Sequence, residues 1–213
     1  MTKSADKLAA ELRPWCRDYR GRDYTIDEFL NLTESFHGYP APGVLIGSKM
    51  VDMAIRRMPA GVLFDAVCET SKCLPDAVQL LTPCTWGNGW LRVVPLDRYA
   101  VTLFDKRSGK GVRVYVDPAP LESYPETRHW FFGAKPKRKD KSDLLIHEIR
   151  QAQDKLYAVQ HVRVKPEFLS KAPSDPRAIC PECGEAYPTG HGPICRGCLG
   201  GIGMGYYERE ETS

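Results

Sequence analysis

Near its C-terminus the chain reads Cys180–Pro181–Glu182–Cys183–Gly184 and then Cys195–Arg196–Gly197–Cys198, two CxxC pairs with eleven residues between them. Few arrangements satisfy such a segment. Each pair can turn so that both sulfurs face inward, and two pairs can close on one tetrahedral site. Gly184 permits the tight turn after the first pair. So short a segment buries too little apolar surface to fold alone, so bound metal has to supply much of its stability. Four soft thiolates favour zinc, each at about 2.3 Å. An iron–sulfur cluster and a redox CxxC are the alternatives. The expected ligands are Cys180, Cys183, Cys195 and Cys198, with His191 between the pairs as a bystander.

The remaining cysteines fit the same logic. The chain has eight, and its first residues, MTKSADKLAAEL, lack the apolar core of a signal peptide. No apolar run approaches the roughly 20 residues of a membrane span. The expectation is a cytoplasmic protein without membrane contact, where cysteines serve metals or catalysis rather than disulfides. Thirty basic and 27 acidic residues give a net charge of +3, too near balance to specify nucleic acid. With 42% hydrophobic residues a sizeable core is available. Pro173–Ser174–Asp175–Pro176 reads as a linker, dividing a core domain at 1–170 from a zinc-finger domain at 171–213.

In the core domain, Leu8, Leu12 and Trp15 have helical spacing over residues 5–19, with Cys16 as a packing residue. A second helix spans Thr25 to Phe36, opened by a Thr25/Glu28 capping box. A third runs from Val44 to Met58, and Gly47 inside it implies close packing against another element. His37 is then presented by the tight turn ahead of that helix. A strand-like run, Val62 to Cys68, leads to Cys73 and a short helix opened by Pro75 and ended by Thr82–Pro83. Cys73 sits just before this helix, where the dipole favours a thiolate; a buried turn cysteine is the plainer reading. Beyond Trp90, runs of period two at Leu91–Val94, Tyr99–Phe104 and Val112–Val116 form an antiparallel meander. Residues 117–141 read as a connector containing the basic cluster Lys135 to Lys141, either solvated or in contact with nucleic acid. A helix from Ser142 and a strand over Tyr157–Val164 follow. The fold class is therefore α+β, with helices packed on an antiparallel sheet and a small C-terminal zinc finger.

Three stretches carry a resemblance: Phe36–His37–Gly38–Tyr39–Pro40–Ala41–Pro42–Gly43 with Gly47, Cys73–Leu74–Pro75–Asp76–Ala77–Val78–Gln79, and Thr82–Pro83–Cys84–Thr85–Trp86–Gly87–Asn88–Gly89. Over roughly residues 25–165 the chain resembles the FmdE family, the FmdE-like proteins of formylmethanofuran dehydrogenase systems. The resemblance implies an α+β core, a homodimer and a C-terminal treble-clef zinc finger. The fuller family motif is FHGHxCPG; here Tyr39 and Ala41 stand where its second His and its Cys would be, and Pro83 and Asn88 where Gly and Lys are usual. His37, Cys73 and Cys84 carry over as core-site candidates. The implied function is a zinc-binding accessory or regulatory protein, with a possible protein partner, associated with molybdenum or tungsten formylmethanofuran dehydrogenase systems and not a stand-alone enzyme. Two alternatives stay open. One is an enzyme or small-ligand/metal site with Cys73 as nucleophile or soft ligand and His37 as base or co-ligand. The other is a nucleic-acid-binding regulator using the finger and the basic run. For the core the expectation is that His37 and Cys73 meet in one pocket near Cys84, between converging helix N-termini, unless Tyr39 fills it.

Overall fold

The computed structural model describes residues 13–133, 142–169 and 175–200, in two compact units, Met1–Leu169 and Ser170–Ser213. In the first unit a two-stranded ribbon, β1 (Cys16–Arg17) and β2 (Asp23–Tyr24), precedes helices α1 (Ile26–His37) and α2 (Pro42–Ile55). Then come β3 (Phe64–Cys68), α3 (Leu74–Leu81), β4 (Leu91–Val93), β5 (Ala100–Asp105) and β6 (Lys110–Val116). Helices α4 (Pro125–Phe132) and α5 (Ser142–Ala152) lead to β7 (Tyr157–Arg163).

The class is α+β, and the sheet differs in one respect from the expected meander. Its order is β4-β3-β5-β6-β7, antiparallel throughout except for a parallel β3/β4 pair. The chain leaves β3, crosses through α3 and returns in the same direction, as a βαβ crossover must. β5 then takes the other side of β3, so β4 and β5 flank it and do not form a hairpin. Two further expectations are corrected. Cys16 and Arg17 are extended, not helical, since Pro14 resists helix and Trp15 donates its backbone N–H to the Tyr24 carbonyl at 2.7 Å. The supposed connector contains α4, which starts on Pro125 and ends on Gly133 in the left-handed region, φ 65°. Leu8, Leu12 and the Lys135–Lys141 run lie outside the described residues.

The helices cover one sheet face. Ala66, Leu103 and Val112 share a row of register and are buried in the core with α2, which is buried from Gly43 to Ala54. A helix buried all round is the centre of its domain. The close packing expected at Gly47 is against α3: a Cβ there would stand 2.9 Å from the Ala77 Cβ and 3.0 Å from Leu74 Cδ1. α1 opens with the Thr25/Glu28 capping box and closes on Gly38.

The alternate sheet row, Val67, Thr102 and Arg113, is polar. Its strongest link is Glu69, whose carboxylate is 9% exposed and accepts a two-pronged bond from Arg113 at 2.6 and 2.9 Å. Arg98 adds a third contact at 2.7 Å. These guanidinium bonds, Arg113 first, hold the Glu69 carboxyl below its ordinary range despite burial. A depressed folded-state pKa stabilises above the unfolded value and loses that contribution as pH falls through the folded value. Arg113→Met should therefore cost about 3 kcal/mol near neutral pH by leaving a buried carboxylate with one partner. The gap from the unsubstituted chain should narrow below about pH 4, as Glu69 protonates. Urea unfolding at several pH values measures both; a gap that is constant with pH would refute the assignment.

Candidate functional site

The second unit is built around sulfur. Strands β8 (Arg177–Ile179) and β9 (Ala186–Pro188) form an antiparallel hairpin with the first cysteine pair at its turn. The Gly184 N–H closes the turn on the Cys180 carbonyl at 2.9 Å, with Gly184 at φ 76°. Cys195 caps the short helix α6 (Arg196–Leu199) and accepts the Cys198 N–H at 3.3 Å. The four Sγ atoms all lie within 4.8 Å of one another, with Cys180 to Cys198 at 3.9 Å and Cys183 to Cys195 at 3.7 Å. A tetrahedral ion at about 2.3 Å from each sulfur would set those edges at about 3.8 Å. The Cys195 N–H donates to Cys180 Sγ at 3.4 Å and is the chief reason that thiol is lowered to about 6. Cys198 is pushed up to about 12, first by its bond with Cys195. One sulfur can ionise readily, but a fully ionised set needs a cation to balance it. The donor set and its spacing fit a metal ion. His191, in the turn Thr189–His191, is not part of the group.

In the first unit, His37 is the last residue of α1 and not part of a turn ahead of α2. Its Nδ1 lies 2.5 Å from Asp76 Oδ2, in the first turn of α3. A carboxylate partner requires Nδ1 to donate, which leaves Nε2 as the outward-facing nitrogen. Tyr39 leans its ring on His37, centroids 4.8 Å apart, and is 49% exposed, so it covers the histidine from outside instead of filling an interior position.

Cys73 caps α3 at φ 53°, ψ −47°, outside the regions open to L residues, at a cost of order 1–3 kcal/mol. The first turn of α2 presses against it: a Cβ on Gly43 would be 2.8 Å from Cys73 Cβ and 2.9 Å from Sγ. The Tyr99 hydroxyl donates to the Gly43 carbonyl at 2.6 Å, and Trp130 and Phe131 meet the Tyr99 ring edge-on. Burial, then the nearby Cys73, keeps the Tyr99 hydroxyl well above its usual range. The starts of α2 and α3 thus converge, but not as an anion cradle. The Leu74 N–H is taken by the Lys72 carbonyl, Pro75 has none, and the Asp76 and Ala77 N–H groups go to the Cys73 carbonyl. Asp76 itself supplies the negative charge.

Cys84 lies beyond the other end of α3, a helix about 12 Å long. It is buried, with Sγ 3.5 Å from the Phe64 carbonyl, and burial pushes its thiol up to about 11. The structure therefore brings His37 and Cys73 to the start of one helix and leaves Cys84 at its end. Among the described residues the finger cysteines are the group of three or more metal-binding side chains that converges. Sequence reasoning missed Asp76 and Tyr99 as neighbours of this site. Asp76, three places after Cys73, reads in the sequence as a helix-dipole residue.

Half-buried Cys73 contrasts with buried Cys16, Cys68 and Cys84, and burial raises the Cys16 thiol to about 12. In protein whose finger cysteines are metal-protected, a disulfide reagent at pH 7.5 should modify Cys73 at least about tenfold faster than the other three. Peptide mapping by mass spectrometry reads this, and equal rates for Cys73 and Cys16 would show a closed site.

An α+β core with a cysteine-capped central helix, followed by a four-thiolate knuckle, defines a two-unit metal-binding protein. The chain belongs to the FmdE family: residues 36–164 match the family described as FmdE, molybdenum formylmethanofuran dehydrogenase operon. Residues 175–208 match the FmdE treble-clef zinc finger. The crystal structure of an FmdE-like protein of tungsten formylmethanofuran dehydrogenase, from Syntrophus aciditrophicus, is 46% identical. It superposes with a TM-score of 0.79 over 88% of this chain and 98% of that one. A protein of Archaeoglobus fulgidus named "Probable S-adenosyl-L-methionine-binding protein" is 29% identical over 174 residues. The match covers 71% of this chain, and the chain spans about half, 46%, of that relative's length. Among the described residues no helix is long and apolar enough to cross a membrane.

Proposed function

We propose that this chain is a zinc-binding accessory or regulatory protein, acting as a homodimer with a protein partner in a molybdenum or tungsten formylmethanofuran dehydrogenase system. The observation that carries the zinc reading is the set of four finger sulfurs within 4.8 Å of one another. Four protein ligands leave no open coordination position, so zinc held by Cys180, Cys183, Cys195 and Cys198 would be structural, supplying folding energy to the finger. The dehydrogenase association is supported by the descriptions of the family and of the Syntrophus aciditrophicus structure.

A second reading, a small-ligand-binding protein, is supported by the name of the Archaeoglobus fulgidus relative and by a cleft beside the turn that carries Cys73. Any metal held by His37 Nε2 and Cys73 would be weak and exchangeable, because no third His, Cys, Asp or Glu joins them among the described residues. The carboxylate behind the histidine is the arrangement that orients imidazole ligands.

Purified protein should contain one zinc per chain by elemental analysis. Cys183→Ser should lose it and leave residues 175–200 open to proteolysis while the core unit stays folded. Iron in its place, or an ordered finger without metal, would overturn the zinc reading. Light scattering should give twice the 24.0 kDa chain mass at micromolar concentration; a monomer would remove the dimer from the proposal.

A further inference from the structure

The sheet ends at β4, and beside this edge lies a cleft of about 290 Å³ lined by Ser71, Pro75, Gln79, Trp86, Leu91 and Val93. Trp86 is 65% exposed. Single exposed aromatics are ordinary, but this one borders an apolar hollow on a loop built to hold it. The Asn88 side chain accepts the backbone N–H groups of Thr85 and Trp90 at 3.1 and 2.9 Å and donates to the Pro83 carbonyl at 2.8 Å. The Thr85 hydroxyl accepts the Asn88 N–H at 3.1 Å, and Gln79 Oε1 accepts the Trp86 N–H at 3.3 Å. The loop is therefore fixed by its own polar groups, while the indole adds nothing to the buried core.

We propose that this cleft binds the neutral planar ring of a nucleoside, with Trp86 as the stacking platform and Gln79 and Ser71 as its polar contacts; the proposal rests on the small-ligand reading above. Three observations select this occupant. None of the six lining side chains is charged, so the lining complements an uncharged ring and not a phosphate or a carboxylate. The cleft is far smaller than the 20–30 residues a side of a stable protein interface, which sets aside a second copy of the chain. Its volume is at the lower end of small-molecule sites, suited to a nucleoside and too small for a dinucleotide. Its chemistry, an aromatic face and apolar walls with two polar groups, is that of sites that stack bases without reading charge.

Calorimetric titration of the full zinc-loaded chain with adenosine, S-adenosyl-L-methionine and ribose tests this. Adenosine should bind saturably and ribose should not. Trp86→Ala should weaken adenosine at least about tenfold, and Trp86→Phe should keep it within about threefold. Because Trp86 is exposed, both variants should fold, as near-ultraviolet circular dichroism would verify. Adenosine binding equally to Trp86→Ala, or ribose binding as well as adenosine, overturns the proposal. S-adenosyl-L-methionine bound equally by both proteins would keep the small-ligand reading and move it to another site. Binding of neither ligand by the unsubstituted chain would remove both.

Discussion

The first unit depends on how closely α2 and α3 approach. Gly43 and Gly47 lie four residues apart on one face of α2, and at both places α3 and its cap occupy the space a side chain would need. With the helices this near, Cys73 has nowhere to go except into its left-handed cap, and Asp76 is carried to His37. Tyr99 completes the arrangement from the sheet, bonding the Gly43 carbonyl and closing the side of the cysteine. The candidate site is thus a by-product of backbone packing more than of any polar pairing. Polar groups fix its details once the helices have met.

Much of this was legible in the sequence, for reasons that can be named. The Thr25/Glu28 box is local, and a local rule located the start of α1. Gly47 in an apolar helix announced a close neighbour without saying which. The paired CxxC spacing implied a four-sulfur group because so few folds satisfy it. What was not legible is non-local. Alternation shows that Leu91–Val93 is a strand but not that its neighbour is β3 on the parallel side. The His37–Asp76 pair joins residues 39 apart, and no periodicity encodes such a meeting. The proline and charge that suggested a connector also suit a short helix with Pro125 at its first turn, which is why α4 escaped notice.

The two candidate centres differ in what surrounds them. In the finger, backbone N–H groups point at sulfur and the four side chains face one another, so its chemistry is complete once a cation is present. In the core, His37 is engaged by a carboxylate and Cys73 by tight packing, and the pair lies at a helix start beside a partly exposed tyrosine. One arrangement is closed and self-sufficient. The other leaves a nitrogen and a sulfur near the boundary of the protein, within reach of an incoming molecule.

The four inward-facing sulfurs also carry a thermodynamic consequence. A unit whose folded form binds metal and whose unfolded form does so poorly gains stability by mass action, about 2.7 kcal/mol when free metal is a hundredfold above its dissociation constant. The first unit has a hydrophobic core of its own, from Trp15 to Tyr157, and needs no such input. One polypeptide therefore joins a part whose order is constant to a part whose order tracks the activity of an ion. Depletion of that ion would unfold the second part while the first persists, so the chain's exposed sequence becomes a function of metal supply.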